Sequence, residues 1–279
     1  MNNLNYQVRL ASHRDYIIPG FNVFGYEDAL AVIHAAESYQ LPVMLMVNRD
    51  ANQVMGVEHW AALLGSLAKS AKVPVGIHLD HCDDIDLICH AVDCGFTSVM
   101  YDGSHSPLEE NIRNTRKIAD YAHRHGVAVE AEVGTVPYSD KGETTIGYTD
   151  IEEARRMSEE SGADWLAVSV GNVHRLTTRK QRINFELLHE IEKVSQLPLV
   201  LHGSSGVLES DMIALRASSV GKVNIGTALR QAFGSSLRKS VLSSAPEVFD
   251  RLALLKTVNE DMEAKAKELI KLLVNQEGE

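Results

Sequence analysis

Three histidines in this sequence each follow a short apolar run with the composition of a β-strand. His81 follows PVGIHLD, His174 ends the segment LAVSVGNVH, and His202 follows PLVL. Taken singly, each histidine is explained as the cap of a strand. Three neutral imidazoles that converge on one point are, however, a ligand set for catalytic zinc, with one coordination position left for substrate. Their joint placement therefore predicts a zinc site formed by these three residues.

Carboxylates follow apolar runs of the same kind. Asp80 immediately precedes His81, and Asp102 and Glu132 end the fourth and fifth runs. A carboxylate beside a bound metal can exchange a proton with substrate, which is the role we predict for Asp80. Asp102 and Glu132 either form a second cation site or hydrogen-bond the imidazoles and fix their tautomers. The remaining alternative for both is a solvated strand end.

Uncharged polar residues occupy further strand ends. Asn22, Asn48 and Asn224 end the first, second and eighth runs. The segment HGSSGV, residues 202–207, places two glycines around two serines, and such a backbone can turn its N–H groups toward an anion. These residues predict a polar rim that binds a small anionic molecule.

The apolar runs that position these residues recur at regular intervals along the chain. Runs such as PVMLMV and VAVEAEV are apolar at successive positions, which is typical of parallel strands buried on both faces. The segments between them have helical spacing, with Ser106 and Asp150 as predicted N-caps. Eight strand–helix units favour a single α/β domain over residues 1–279, a (β/α)₈ TIM barrel with an additional C-terminal helix over 250–274. The runs begin near Ile17, Pro42, Pro74, Thr97, Val127, Trp165, Pro198 and Lys222.

Composition and charge narrow the class of protein. The 279 residues include 27 Lys and Arg against 38 Asp and Glu, a net charge of −11 that disfavours nucleic acid as a partner. The N-terminus lacks a basic start followed by an apolar run, and an apolar stretch long enough to span a bilayer does not occur. We therefore expect a cytoplasmic protein that does not bind membranes. Cys82, Cys89 and Cys94 match neither zinc-ribbon nor disulfide spacing, so we expect reduced thiols.

Several long segments resemble the class II fructose-bisphosphate and tagatose-bisphosphate aldolase family. They run nearly end to end and include VPVGIHLDH (73–81), GFTSVMYDGSHSPLEENI (95–112), GVAVEAEVG (126–134) and KVNIGTALR (222–230). The resemblance implies an aldolase in which the three histidines bind a catalytic zinc ion. It implies further that Asp80 exchanges a proton at the oxygen of the cleaved bond. Asp102 and Glu132 match carboxylates that hold a second cation, divalent or monovalent.

The resemblance also implies the substrate and the residues that contact it. The expected substrate is a ketose mono- or bisphosphate with dihydroxyacetone phosphate or a related ketone as donor, and the expected assembly is a homodimer or homotetramer. Lysine is absent from the strand ends, so a Schiff base is not expected. The implied proton-transfer carboxylate after strand 5 is Asp140, with Glu143 as the alternative. The implied substrate-binding residues are Asn22, Asn48, Arg175, Gly203, Ser204, Ser205, Asn224, Ile225, Gly226 and Thr227.

Four positions that contact substrate in the family have a different residue in this sequence. Arg175 replaces a glycine, and its forked donors could bind an anion or its bulk could exclude a phosphate. Gly226, Ala228 and Asn48 replace an asparagine, an aspartate and a serine. We therefore predict that fructose 1,6-bisphosphate is a poor substrate. Two other functions stay open: a zinc hydrolase, in which the metal activates water, and a sugar-phosphate-binding barrel without turnover.

Overall fold

The strands of this protein close into a barrel. A computed structural model describes residues 4–142, 146–178 and 180–275. Eight parallel strands pair in chain order, and the last also pairs with the first. This confirms the predicted (β/α)₈ barrel, and each strand begins within two residues of its predicted start. The strands are β1 (Ile18–Asn22), β2 (Val43–Val47), β3 (Val75–Cys82), β4 (Ser98–Tyr101), β5 (Ala128–Val133), β6 (Trp165–Val168), β7 (Leu199–Leu201) and β8 (Val220–Ile225).

Helices precede, connect and follow the strands. Asp150 caps its helix as predicted, because its side chain accepts from the backbone N–H groups of Glu152 and Glu153. The Ser106 prediction is wrong: the N-cap is Pro107, which has no side chain able to accept those bonds. The helices are α1 (Leu4–Ala11), α2 (Tyr26–Ser38), α3 (Arg49–Val54), α4 (Val57–Ser70), α5 (Ile85–Cys94), α6 (Leu108–Arg124), α7 (Ile151–Glu160), α8 (Phe185–Val194), α9 (Glu209–Ala214), α10 (Thr227–Ser243) and α11 (Arg251–Lys271).

Two apolar regions stabilise the barrel. The larger lies between the strands and the surrounding helices, and the smaller fills the lower half of the barrel. Helix α1 seals that lower half, because Leu4 and Val8 are buried against interior side chains such as Trp165. Gly221 permits this close approach, since a Cβ there would lie 2.5 Å from the Val8 carbonyl oxygen. With its base filled, the barrel offers space for chemistry at the opposite, carboxyl end of the strands.

The predicted C-terminal helix is α11, which packs against α2 and α10 in the outer helical layer. Asp250 caps its first turn by accepting the Leu252 N–H. Behind it, the Leu273 carbonyl accepts the N–H of Ile17 at the start of β1. Within the described ranges, every helix is too short or too polar to cross a membrane.

Candidate metal centre and active site

The three predicted histidines meet at the carboxyl end of the barrel. His81 lies near the end of β3, His174 lies in the loop after β6, and His202 directly follows β7. The ring centroids of His81 lie 4.6 Å from His202 and 4.9 Å from His174, and the last two are 5.8 Å apart. One ring nitrogen of each residue lies within 4.8 Å of the other two. This spacing suits three ligands of one small cation.

An irregularity in β3 turns His81 toward this point. The register with β4 shifts between Leu79 and Cys82, as in a β-bulge. Within the shift His81 has a φ of +53°, a left-handed conformation that is uncommon for residues other than glycine. Bulges re-aim side chains, and strained backbone of this kind is concentrated at functional sites.

Hydrogen bonds leave one ring nitrogen of each histidine facing the others. His81 Nδ1 lies 2.8 Å from Asp102 Oδ2, and His202 Nε2 lies 2.8 Å from Glu130 Oε1. The buried atoms His81 Nε2, His174 Nε2 and His202 Nδ1 have no hydrogen-bond partner among the described residues. Three orphaned imidazole nitrogens at mutual contact distance, two of them on rings held by carboxylates, fit a catalytic zinc ion.

The electrostatics of the three rings differ. Burial, followed by the charges of His81 and His202, lowers the pKa of His174 well below its usual value, so this ring is neutral. Burial acts in the same direction on His202, but the carboxylates of Glu130 and Glu132 outweigh it and raise the pKa of His202 to about 10. In the absence of a cation His202 therefore carries a proton on both nitrogens at neutral pH, and a metal must displace one of them.

Asp80 is held by two amides. Its Oδ2 accepts from Asn22 Nδ2 at 2.8 Å, and its Oδ1 accepts from Asn224 Nδ2 at 3.0 Å. Burial favours the neutral acid, but the neighbouring imidazoles of His81 and His202 outweigh it, and the pKa of Asp80 is lowered. A buried, ionised and oriented carboxylate beside the histidine cluster can accept a proton from a bound hydroxyl group.

A cavity of about 340 Å³ opens above this cluster. Four predicted site residues do not line it: Glu132 and His202 lie beneath the surface, Ile225 is buried in the outer core, and Asp140 lies at the rim. The predicted residues that line the cavity are Asn22, Asn48, Asp80, His81, Asp102, His174, Arg175, Gly203, Ser204, Ser205, Asn224, Gly226 and Thr227.

One wall of the cavity has the backbone geometry of an anion site. Gly203 has a φ of +62°, and a Cβ there would lie 2.7 Å from the Val173 carbonyl, so only glycine fits. Ser204 Oγ donates to the Asn224 carbonyl at 2.6 Å, which joins the β7 and β8 loops. Helix α10 begins beside them at Thr227, and a helix N-terminus favours negative charge.

Two of the positions that depart from the family pattern have separate structural roles. A Cβ at Gly226 would lie 2.7 Å from Asn22 Oδ1, so the glycine leaves room for the amide that holds Asp80. Asn48 caps α3, since its Oδ1 accepts the Ala51 N–H at 3.0 Å. The Asn48 side-chain oxygen is therefore occupied, which leaves its amide N–H groups for contacts in the cavity.

Arg175 bridges the mouth of the cavity. Its Nη1 lies 2.7 Å from Asp140 Oδ2, and its Nη2 lies 2.8 Å from Asp50 Oδ2. The bond to Arg175 is the main reason that the pKa of Asp140 is lowered. Arg175 adopts a left-handed φ of +60°, which glycine would adopt without strain. Glu143, the alternative to Asp140, lies outside the described residues.

Sequence reasoning missed several residues of the cavity and its support. Tyr138 stacks on the His174 ring at a centroid distance of 4.4 Å and an interplanar angle of 17°. Little in the sequence singled out Tyr138, since a tyrosine in a loop can serve in packing, hydrogen bonding or ligand contact. Glu130 and its partner Lys222 had a clearer signal, because Glu130 stands two positions before Glu132 and must share its face of β5.

Comparisons with known proteins agree with this geometry. A family model described as "Fructose-bisphosphate aldolase class-II" matches residues 2–278. A 6-phospho-5-dehydro-2-deoxy-D-gluconate aldolase of Bacillus subtilis (strain 168) is 36% identical over 233 residues, 82% of this chain and 80% of that protein. A probable fructose-bisphosphate aldolase of the same organism is 36% identical over 245 residues, 86% of each.

Solved structures are similar over almost the whole chain. The YdjI aldolase from Escherichia coli K12 has a TM-score of 0.85 at 32% identity, covering 97% of this chain and 96% of that one. A putative fructose-1,6-biphosphate aldolase from Coccidioides immitis has a TM-score of 0.86 at 28% identity, covering 98% and 96%.

Proposed function

The chain belongs to the class II fructose-bisphosphate aldolase family and is an aldolase, a carbon–carbon lyase, and on that premise we propose a zinc-dependent enzyme that cleaves and forms a ketose phosphate. The donor in the synthetic direction is dihydroxyacetone phosphate or a related ketone. The observation that carries the proposal is the meeting of three orphaned imidazole nitrogens beside the ionised Asp80. Their donor set matches that of catalytic zinc, with room for substrate in the cavity above.

The proposed ligands of the ion are His81, His174 and His202. A bound zinc ion supplies Lewis acidity at the ketone carbonyl, which stabilises the negative charge left by bond cleavage. Lys222 does not line the cavity and pairs with Glu130 at 2.7 Å, so it is poorly placed to form a Schiff base with substrate.

Asp80 performs the first proton transfer in the cleavage direction. Its carboxylate takes the proton of the hydroxyl group on the aldehyde side of the scissile bond. The carbon–carbon bond then breaks, the aldehyde departs, and the electron pair of the bond remains on the ketone half. In synthesis Asp80 returns the proton to the aldehyde oxygen. The two amides from Asn22 and Asn224 keep its oxygens oriented through both directions.

Asp140 is the proposed carboxylate for the second proton transfer: in synthesis it takes the proton from the reacting carbon of the ketone, and in cleavage it passes a proton taken up from solvent to that carbon. Its oxygen now lies on Arg175, at the rim of the cavity. A substrate anion that binds the Arg175 guanidinium would compete with Asp140 and free it to reach the substrate. Substrate binding and the second proton transfer would thus be linked by one arginine.

Two carboxylates beside the histidine cluster have supporting roles. Asp102 orients the His81 ring through the bond to Nδ1. Glu132 Oε2 is buried and has no hydrogen-bond partner among the residues described, and it lies 3.4 Å from His202 Nδ1 and 3.8 Å from His81 Nδ1. We propose these two carboxylates as ligands of an additional divalent or monovalent cation.

The phosphate of the substrate is proposed to bind where the β7 and β8 loops meet the start of α10. This wall is lined by Gly203, Ser204, Ser205, Asn224, Gly226 and Thr227, and α10 begins at the last of them. Arg175 adds a positive charge at the mouth. The two Bacillus subtilis relatives, a probable fructose-bisphosphate aldolase and a 6-phospho-5-dehydro-2-deoxy-D-gluconate aldolase, differ in substrate, so we propose that local contacts of this kind set the ketose.

Fructose 1,6-bisphosphate is proposed to be a poor substrate. Gly226 and Ala228 lack the polar side chains that the family has at these positions. The side-chain oxygen of Asn48 accepts the Ala51 N–H at the start of α3 and so is not free for substrate. We expect its kcat/KM to be at least tenfold below that of the best ketose phosphate, measured by triose phosphate release. Comparable turnover of both would remove this part of the proposal.

The protein is further proposed to be a cytoplasmic homodimer or homotetramer. The end of α10, the start of α11 and the segment between them expose apolar side chains: Phe249 is 93% exposed, Leu242 79% and Leu252 78%. Exposed apolar surface of this kind is typical of subunit contacts. Sedimentation should therefore show a species larger than one chain, and Phe249→Asp should shift it toward the monomer.

A single experiment tests the aldolase chemistry. Zinc-loaded protein incubated with dihydroxyacetone phosphate in D₂O should exchange one carbon-bound proton of the ketone, because a hydrolase has no reason to form a carbanion. His202→Ala should lose both the zinc and the exchange. Exchange at the wild-type rate without bound zinc would contradict the proposal.

A further inference from the structure

A charged pair lies inside the barrel, one layer beneath the histidine cluster. Lys222 of β8 and Glu130 of β5 are both fully buried, and Lys222 Nζ lies 2.7 Å from Glu130 Oε2. Neither residue lines the cavity. The pair therefore does not touch substrate, although it spans the interior between opposite strands.

Glu130 connects this pair to the metal site. Its second oxygen, Oε1, accepts from His202 Nε2 at 2.8 Å. A ring that donates from Nε2 presents Nδ1 as its ligand atom, and His202 Nδ1 is the orphaned nitrogen that faces the other histidines. Glu130 thus selects the nitrogen through which His202 would bind a metal.

Lys222 fixes the other oxygen of Glu130. Its Nζ lies 2.7 Å from Oε2, so the carboxylate is held through both oxygens and Oε1 stays directed at the His202 ring. His78 does not supply this contact. His78 Nε2 lies 3.8 Å from Glu130 Oε2 without a hydrogen bond, since His78 is held by Ser98 Oγ through Nδ1.

We propose that Lys222 and Glu130 act as a positioning pair for the metal site, holding His202 with Nδ1 directed at the ion. The inference rests on the proposed function in one respect, which is that His202 is a ligand. The alternative is an ion pair that only stabilises the barrel. Replacing a buried ion pair by neutral side chains of similar size is often tolerated, so the two roles are separable.

The test compares the zinc affinity of variants with their stability. Lys222→Met removes the ammonium group, and Lys222→Met combined with Glu130→Gln removes both charges without leaving either unpaired. Ser98→Ala is the control, because it disturbs the same interior layer and breaks only the bond to His78. Zinc dissociation constants come from competition with a chromophoric chelator, and thermal unfolding of the metal-free proteins reports stability.

A positioning role predicts that both charge variants bind zinc roughly 10- to 100-fold more weakly, the range for the loss of such outer-shell partners, while Ser98→Ala stays near wild type. The ring N–H proton of His202 in the zinc-loaded protein provides a second readout. Its NMR signal lies far downfield when the proton is bonded to a carboxylate, and it should move upfield in both charge variants.

Wild-type zinc affinity and an unmoved N–H signal in the double variant would overturn the inference, whatever its melting temperature. If Lys222→Met alone does not fold, the double variant still decides. Loss of zinc in His202→Ala together with wild-type affinity in the double variant would refute the positioning pair and leave the proposed function intact. Full zinc binding in His202→Ala would instead refute the ligand set itself.

Discussion

Replacing Arg175 by glycine should change substrate binding strongly and stability little. On the stability side, glycine relieves a left-handed conformation that costs about 1–2 kcal/mol for a residue with a side chain. The greater freedom of glycine in the unfolded chain offsets about 0.5–1 kcal/mol of that gain. The two lost ion pairs, to Asp50 and Asp140, are partly exposed and contribute at most about 1 kcal/mol each. With each range taken at its midpoint, the sum lies within roughly 1 kcal/mol of zero.

On the binding side, Arg175 contributes charged hydrogen bonds to a substrate anion in our proposal. Such bonds are worth about 1.5–3 kcal/mol, which corresponds to roughly 10- to 100-fold in affinity. Arg175→Gly should therefore raise KM for ketose phosphates by that factor, while the melting temperature stays within about 3 °C of wild type. Arg175→Lys keeps the charge but not the fork, and should give an intermediate KM.

Initial rates of triose phosphate release over a range of ketose phosphate concentrations measure this effect. An unchanged KM in Arg175→Gly would show that the guanidinium does not contact substrate. A lower KM would support the opposite alternative, in which the side chain fills the site and excludes phosphate. Either result would also remove the proposed link between substrate binding and the release of Asp140.

Three further predictions follow from the electrostatics and packing of the site and its surroundings. Zinc binding should release protons, because the neighbouring carboxylates raise the pKa of His202 to about 10 in the metal-free protein. The apparent zinc affinity should therefore rise with pH below 10, and the binding enthalpy measured by calorimetry should depend on the buffer. Burial raises the pKa of Asp28 to about 6, above the value of 3.8 in the unfolded chain. This group therefore favours folding below pH 3.8 and loses that contribution as the pH rises through 6. In denaturant titrations, the free energy of unfolding of Asp28→Asn should exceed that of wild type at pH 8 by up to about 3 kcal/mol and equal it at pH 4. Gly226→Asn should lower kcat roughly tenfold in steady-state assays, because its Cβ displaces the Asn22 amide that orients Asp80; unchanged kcat would show that this amide is not needed.

The architecture was predictable because its signals are local. A parallel strand buried on both faces is a run of successive apolar residues, and eight such runs with helices between them leave few alternatives to a closed barrel. The meeting of the histidines was predictable for the same reason, because all strands of a parallel barrel have their carboxyl ends at the same side. The failure at Ser106 was also local: Pro107 occupies the N-cap position, one residue further along the chain, and α6 begins at Leu108.

The contacts among the site residues were not predictable, because they depend on rotamers set by distant strands. Glu130 and Lys222 are 92 positions apart and meet only when β5 and β8 face each other across the interior. Asn22 was assigned to substrate, and its further bond to Asp80, 58 positions away, was not foreseen. Arg175 similarly finds its partners in α3 and in the segment that follows β5. Spacing along one chain carries no information on such pairings.

The zinc ligands themselves offer the most direct test of the central claim. X-ray absorption at the zinc edge should show three imidazole nitrogens at about 2.0–2.1 Å from the metal and no sulfur shell. His174→Ala should reduce that count by one ring. A sulfur shell near 2.3 Å would place the ion on a cysteine such as Cys82 instead, and protein that takes up no zinc under these conditions would contradict the account outright.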